Sequence, residues 1–340
     1  MKPYLVDVPV RINIWIRPEC QRKQWDVIKQ ARPSVLFIQS DGGRNEKEWK
    51  AILQNRKMIE DELDWDCKVY KCYQSENKGL YGISPIMRKL IWSNADRCIL
   101  LEDDQVPAVS YFKFCAELLE KYKDDQRIEC ICGVNQLEKC ENVTSSYFFS
   151  RQGSIWGIAT WKRVIDERYN YAYGSDPYIM DVLKERTKHN PIAWKRLNAY
   201  AKGNQYEGHV AGSEFWIEFD MYAQNRLQII PKYNMISNIG ASEDSAHADS
   251  LKLLPRGIRK VFNLPVHELG GSIIHPKYVM PDVEYEKKRN RVMGYNTPII
   301  QFARKIERFV LMASHGNLKR ALSKVFVKKK EKLLDRPEVV

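Results

Sequence analysis

The chain has 340 residues, of which 44% are hydrophobic and 11% aromatic, enough for one large globular core or two smaller ones. No stretch reaches the roughly 18 uninterrupted apolar residues of a membrane-spanning helix, and the charged start does not resemble a signal peptide, so we expect a cytoplasmic protein. The formal net charge of +12 is unevenly distributed, because the segment from Arg304 to Lys332 contains ten Lys or Arg and only two Glu.

Strand and helix patterns alternate along the first 140 residues. Apolar runs predict strands at 10–16, 35–38, 67–72, 97–101 and 129–134. Helical periodicity predicts helices at 21–30, from a cap at Asn45 to about Leu63, at 82–93 and at 110–123. Strands separated by helices in this way predict right-handed crossovers and a mostly parallel sheet in an α/β fold.

The second half of the chain is less regular. We expect a strand at 147–149, an aromatic loop at 155–161 entering a helix near Lys162, a helix at 214–225 and a strand at 227–231. After these come Asn234 to Gly240 and a polar loop that ends in His247.

Three consecutive acids, Glu102, Asp103 and Asp104, follow the buried strand that ends at Leu101. Carboxylates this close repel one another unless a cation or hydrogen-bond donors lie beside them. Alternation along the strand would place Glu102 and Asp104 on one face and Asp103 on the other. Because ligands bind at the carboxyl edge of open α/β sheets, the triplet predicts a metal-assisted site for a phosphorylated ligand. The alternative is a solvated turn or a helix cap.

Several short segments follow one another in a fixed order, namely Arg17-Pro18, Ser40-Asp41-Gly42-Gly43-Arg44, Asn77-Lys78-Gly79, Leu101 to Asp104, Trp156 to Trp161, and Asn238-Ile239-Gly240 leading to His247. Over about Val8 to His247 the chain thereby resembles GT-A nucleotide-diphospho-sugar transferases, and among them the bacterial hemolytic protein HlpA-like glycosyltransferases. The resemblance implies a GT-A fold, with a mostly parallel Rossmann-like sheet flanked by helices and a smaller, irregular acceptor-side half. The glycosyltransferase domain would span 1–290, with a nucleotide-sugar half at 1–140 and an acceptor half at 141–290, and a basic tail would follow at 297–340.

The resemblance also implies a divalent cation, Mn²⁺ or Mg²⁺, that bridges the donor diphosphate and the protein. Asp104 would be its direct ligand, and Glu102 and Asp103 would reach the ribose or metal-bound waters. His247 would complete the metal or diphosphate site, and its alternative is a surface loop histidine.

Asp41 would contact the nucleoside, and Asn77, Lys78 and Gly79 would contact the donor from the next loop. Lys78 would pair with a phosphate, and Arg88 on the following helix is a similar candidate. The alternatives are an Asp-Gly turn for Asp41 and a solvated side chain for Lys78.

Transfer to a hydroxyl with inversion needs a general base on the acceptor side. The resembling family has an acid at the start of the helix that precedes the late strand. Glu214 occupies that position here, where the family more commonly has Asp, and Glu218 one turn later is the competing candidate. An acidic first turn, favoured by the helix dipole, is the alternative for Glu214. Trp156, Gly157 and Trp161 would form the acceptor-side wall, with core packing as the alternative for the two tryptophans.

Apolar residues recur at helical spacing among the basic residues of the tail, at Ile306, Phe309, Val310, Leu318, Leu322, Val325 and Phe326. A basic amphipathic helix suits an anionic bilayer, which predicts peripheral attachment to the inner face of the cell membrane. The alternative is a helix packed on the body, and no nucleic acid is expected because the tail holds few aromatic residues.

The sequence thus predicts a metal-dependent, inverting glycosyltransferase of bacterial surface polysaccharide synthesis. It would move a sugar from a nucleotide-diphospho-sugar to a glycan or lipid-linked oligosaccharide. One alternative is a degenerate, non-enzymatic glycan-binding or membrane scaffold protein, motivated by Glu214 and the basic tail. A sugar-phosphate nucleotidyltransferase is disfavoured, because residues 17–20 read Arg-Pro-Glu-Cys where a Gly-rich loop is expected.

Overall fold

A computed structural model describes residues 1–168, 171–188, 190–206, 211–241, 251–294 and 298–315. These residues form ten strands: β1 (Val6–Ile14), β2 (Pro33–Ser40), β3 (Lys68–Tyr73), β4 (Arg97–Leu101), β5 (Gln105–Pro107), β6 (Ile128–Cys132), β7 (Tyr147–Ser150), β8 (Ile158–Trp161), β9 (Leu227–Pro231) and β10 (Ile236–Asn238). Eight of them form a central sheet in the order β3-β2-β1-β4-β8-β6-β9-β7, and β5 pairs with β10 beside it.

Eleven α-helices surround the sheet within the same ranges: α1 (Pro18–Ala31), α2 (Glu46–Glu62), α3 (Gly79–Trp92), α4 (Val109–Lys121), α5 (Lys162–Asp166), α6 (Pro177–Arg186), α7 (Pro191–Ala201), α8 (Ser213–Ala223), α9 (Arg256–Arg259), α10 (Val283–Met293) and α11 (Pro298–Ser314). Short 3-10 helices lie at Tyr171–Ser175 and Leu251–Leu253. In the described parts of the chain, no helix combines the length and the apolarity needed to cross a membrane.

The sheet is mixed rather than purely parallel. Strands β1 to β4 run parallel, and β6 and β9 share their direction, whereas β7 and β8 run antiparallel to their neighbours. The loop predicted at 155–161 was wrong for its last four residues, which form β8 between β4 and β6. All four side chains of β8 are buried, so the strand carries no polar alternation from which it could be recognised.

The strand order creates a switch point at the centre of the parallel part. Strands β2 and β3 follow β1 on one side of the sheet, and the chain then returns so that β4 pairs with the other side of β1. Ile14 is level with Ser40 across β1 and β2, and Ile12 is level with Leu101 across β1 and β4. The carboxyl ends of these three strands therefore meet at one edge, in the crevice where doubly wound sheets bind ligands.

Helices cover both faces of the sheet. On one face, Val8, Val10, Ile12 and Ile14 of β1 pack against buried residues of α1, α2 and α4, such as Trp25. On the other face, α3 packs on β2 and β4, and α8 and α10 pack on β6 and β9. Asn45 caps α2 as predicted, because its side chain accepts from the Glu48 N–H at 3.0 Å.

A buried network of charges fastens the end of α5 and the end of α8 to the sheet. Glu129 of β6 is fully buried and contacts both Arg168 and Arg226, which are also buried. Asp220 of α8 lies 3.9 Å from Arg168 and 3.7 Å from Arg226. Burial, followed by the Glu129 charge, raises the pKa of Asp220 well above its usual range.

We expect Glu129→Gln to lower the free energy of unfolding by about 3–5 kcal/mol, because it leaves two buried guanidinium groups without their shared carboxylate. Urea unfolding would measure the loss. Glu120→Gln is the matched control, since Glu120 pairs with Arg97 and Lys123 at the surface and its removal should change stability little. Equal losses in the two variants would contradict the importance of the buried network.

Candidate functional site

The Asp41 carboxylate, at the end of β2, holds the loop that leads into α3. It accepts hydrogen bonds from the backbone N–H groups of Gly42, Lys78 and Gly79, each at 2.9 Å, and from the Asn77 side-chain amide at 3.3 Å. The residue is only 8% exposed. Four residues predicted from the sequence to contact the donor, Asp41, Asn77, Lys78 and Gly79, are thus brought together.

These contacts make Asp41 the acceptor for the first N–H groups of α3. A carboxylate has about four lone-pair sites, and four donors already point at this one, so Asp41 positions the loop in this structure. Gly42 is required for the close approach, because a Cβ there would lie 2.3 Å from the backbone carbonyl carbon of Glu76. The loop and the end of β2 therefore form one rigid wall of the crevice.

The two basic residues predicted to contact the donor, Lys78 and Arg88, lie in different places. The Lys78 ammonium is 3.0 Å from a Glu76 carboxylate oxygen, and this ion pair lies at the surface. Arg88 lies about 13 Å along α3 from Gly79, and α3 runs back towards the amino ends of the strands. Arg88 therefore lies further from the ligand-binding edge than the Asn77 loop, and its place in the donor site stays a prediction.

The acidic triplet meets a guanidinium group at the switch point. Arg17, directly before α1, donates from Nε to Asp103 Oδ2 at 2.8 Å and from Nη2 to Asp103 Oδ1 at 2.6 Å. The same Nη2 lies 3.1 Å from Asp104 Oδ2, and Nη1 donates to the Gly240 carbonyl at 3.2 Å. The bidentate pair and its neighbours link the ends of β1 and β4 to the segment after β10.

The predicted separation of the three acids onto two faces was wrong. The chain leaves the extended conformation after Leu101 and turns, and the Gln105 N–H donates to the Glu102 carbonyl at 3.2 Å. As a result Asp103 and Asp104 face the same guanidinium, while the Glu102 side chain is exposed. Part of the solvated-turn alternative therefore applies, and only to Glu102.

Asp104 keeps one carboxylate oxygen without a partner. Its Oδ1 is buried and has no hydrogen bond within the described ranges. Burial, followed by the charge of Asp103, raises the pKa of Asp104 to about 6. A buried, unbonded acceptor at the ligand-binding edge of a sheet is a place where a donor or a cation would be favourable.

The segment Asn238-Ile239-Gly240, which belongs to the sequence pattern leading to His247, lies over this carboxylate. The Ile239 N–H donates to the Asp104 carbonyl at 2.9 Å, and the Gly240 N–H donates to the Asn238 side chain at 3.1 Å. Only glycine fits at 240, because a Cβ there would lie 1.9 Å from Asp104 Oδ2. His247, the predicted second ligand, lies outside the described residues.

The described residues do not by themselves compose a metal site. No group of three or more His, Cys, Asp or Glu side chains within the described ranges is placed to hold an ion. Both Asp103 oxygens and one Asp104 oxygen face Arg17, which leaves Asp104 Oδ1 as the one unbonded oxygen of this pair of carboxylates. Among the described residues, the Arg17 guanidinium is the positive charge in contact with Asp103 and Asp104.

The predicted acceptor-side wall divides into three environments. Gly157 adopts a φ of +62° beside Ile236, and its carbonyl accepts from the Gly133 N–H at 2.8 Å. Trp156 is half-buried against Phe262, with ring centroids 4.8 Å apart. Trp161 pairs with Arg97 at the opposite edge of the sheet and is buried, so its predicted acceptor role was wrong and the core-packing alternative holds.

The two candidate bases lie on α8. Glu214 is exposed in the first turn, a position that the helix dipole also favours. Glu218 is half-buried and paired with Arg196, and burial raises its pKa.

Sequence reasoning missed the positions of Arg17 and Gln24 in the site. The Gln24 amide, buried on α1, donates to the carbonyls of Glu102 at 2.5 Å and Gln105 at 2.8 Å and so supports the turn of the triplet. The available signal was a pair of glutamines, Gln21 and Gln24, on an otherwise apolar helix face.

No protein-family model matches the chain, and neither does any curated protein sequence. Among solved structures, apo-form mouse xyloside xylosyltransferase 1 is similar with a TM-score of 0.36 and 13% identity, over 65% of this chain and 84% of that chain. The apo-form glycosyltransferase GlyE of Streptococcus pneumoniae TIGR4 is similar with a TM-score of 0.28 and 10% identity, over 94% of this chain and 64% of that chain. Similarity this weak supports no conclusion about activity, which has to come from the residues.

We expect Asp41→Ala to lower the free energy of unfolding by about 1–3 kcal/mol, because it leaves the N–H groups of Lys78 and Gly79 without a hydrogen-bond acceptor. Amide hydrogen exchange at these two residues should accelerate. Asp176→Ala, which removes the exposed cap of α6, is the control and should leave exchange at both amides unchanged. Unaltered protection in Asp41→Ala would show that the carboxylate does not hold the loop.

Proposed function

We propose that the chain is a glycosyltransferase that takes a sugar from a nucleotide-diphospho-sugar. The observation that carries the proposal is the cluster of Arg17, Asp103 and Asp104 at the switch point, with one buried carboxylate oxygen left unbonded. Switch-point crevices of α/β sheets bind ligands, and a paired guanidinium and carboxylates suit one that carries phosphate.

The spacing of the strands supports a nucleotide as the ligand. The Asp41 wall and the acidic triplet follow β2 and β4, which flank β1, so two strand separations or about 10 Å lie between them. That span accommodates a nucleoside at the wall and its diphosphate at the triplet. The first turn of α1, which begins beside Arg17, adds N–H groups and a partial positive charge on the diphosphate side.

When the sugar leaves, negative charge develops on the diphosphate. Arg17 lies where its guanidinium would face that charge, and Asp103 fixes its orientation through the bidentate contact. The divalent cation expected from the sequence stays a prediction, with Asp104 Oδ1 as the oxygen that it would take. Such a cation would supply Lewis-acid stabilisation of the leaving diphosphate.

For the acceptor we propose a hydroxyl of a glycan or lipid-linked oligosaccharide of bacterial surface polysaccharide synthesis, attacked with inversion. Glu214 would take its proton, and Glu218 is the competing base. In a transfer assay, Glu214→Gln should lower kcat far more than Glu218→Gln if Glu214 is the base. The reverse order would assign the role to Glu218.

We expect one nucleoside diphosphate from a panel of UDP, GDP, CDP and dTDP to raise the melting temperature, because a ligand bound only by the native state stabilises it. Each nucleotide would be measured with Mn²⁺ and with EDTA. A shift that vanishes in EDTA would establish the predicted cation, and Asp104→Asn should then reduce it. The control is Asp124→Asn, which changes an exposed acid beyond α4 and should leave the melting-temperature shift unchanged.

No shift with any nucleotide would reject the donor site. If a nucleotide binds but Asp104→Asn and Glu214→Gln both leave glycan assembly in the host intact, the chain binds the nucleotide without turnover. The non-enzymatic alternative would then replace the transferase.

A further inference from the structure

Helix α11 presents its most apolar side to solvent. Ile299, Phe302, Ile306 and Val310 are 81%, 66%, 50% and 56% exposed. At 100° per residue, these four positions fall within a sector of roughly 80° and form a single stripe along the helix. A surface helix normally turns such a stripe towards the core, so α11 has the reverse orientation.

The side of α11 that contacts the body combines the buried Met312 with several polar contacts. The Arg304 guanidinium donates to the carbonyls of Arg291 and Val292 in the last turn of α10, and it fits closely against Gly257 and Gly294. On the next turn, the Glu307 carboxylate accepts from the Arg256 N–H at 2.8 Å. Polar contacts at this side fix the rotation of the helix, and they hold the apolar stripe outward.

Three basic residues of α11, Arg304, Lys305 and Arg308, outnumber one acid, Glu307. Lys305 is exposed on the same helix. The residues that follow, 316–340, carry eight Lys or Arg against three Asp or Glu. An apolar stripe on a basic helix complements an anionic bilayer, whose surface attracts the charges while its acyl boundary takes up the apolar side chains.

The size of the stripe also favours a lipid surface over a second copy of the chain. Stable protein interfaces bury about 800 Å² on each partner, around twenty or more residues. Four side chains along one helix make a narrow line instead. A helix of 17 residues is about 25 Å long and can lie flat at a membrane surface along its whole length.

We propose that α11 binds in the plane of an anionic membrane surface, with Phe302 and Ile306 inserted at the acyl boundary and the basic residues over the headgroups. The proposal does not depend on the proposed transferase activity. It assigns the attachment to an apolar face of α11 and not to positive charge alone.

The test is co-sedimentation of the full chain with vesicles of phosphatidylcholine alone and with added phosphatidylglycerol. The native chain should pellet with the anionic vesicles. The double variant Phe302→Glu with Ile306→Glu should lower its partition by roughly a hundredfold, because it puts two charges in place of the inserted side chains. The control is Leu53→Glu with Ile192→Glu, which makes the same charge change at apolar residues 55% and 41% exposed elsewhere. This control should bind like the native chain, apart from a modest loss of attraction.

Phe302→Trp keeps an apolar ring and should keep full binding, which separates insertion from any folding defect in the Glu variant. Equal pelleting of the Phe302/Ile306 variant and the native chain, or no pelleting of the native chain, would overturn the proposal. So would equal binding to vesicles without anionic lipid. A lipid-free dimer that only the Phe302/Ile306 variant dissociates would also overturn it and would make a second copy the occupant of the stripe.

Discussion

The contact between Arg17 and the two aspartates is the interaction on which the site depends. Adjacent carboxylates at the end of a buried strand would repel each other and lose hydration, and one guanidinium held in a fixed geometry offsets both costs. The same group reaches Gly240, more than two hundred residues later in the chain. One side chain thus joins the switch point of the sheet to the segment after β10, and the triplet becomes part of a defined surface.

The central sheet makes this arrangement rigid. Strand β8 lies antiparallel between β4 and β6, so it joins the block of β1 to β4 to the block of later strands in one continuous ladder. The buried charges around Glu129 fasten α8 to the same ladder. The triplet, the Asp41 wall and the α8 carboxylates are therefore all attached to one scaffold, which the proposed transfer between a donor and an acceptor would require.

Local patterns predicted much of this fold, and long-range contacts account for most of what they missed. The strand at β4 and the helices α2 and α4 were predictable because apolar periodicity and a cap mark them. The meeting of Asp41 with the Asn77 loop followed from the shared edge of parallel strands. The pairing of Arg17 with Asp103 joins residues 86 positions apart, and no local pattern reports such a contact. The support that Gln24 gives to the turn at Glu102 is long-range as well.

The way Asp41 holds its loop has a thermodynamic consequence for any ligand in the crevice. Three backbone N–H groups and one side-chain amide are held around a single buried carboxylate by contacts within the protein itself. Fixing a mobile loop costs conformational entropy for each residue that becomes ordered. A ligand that docks against this wall would spend little of its binding free energy on ordering the protein. More of that free energy would remain to separate one ligand from a close analogue.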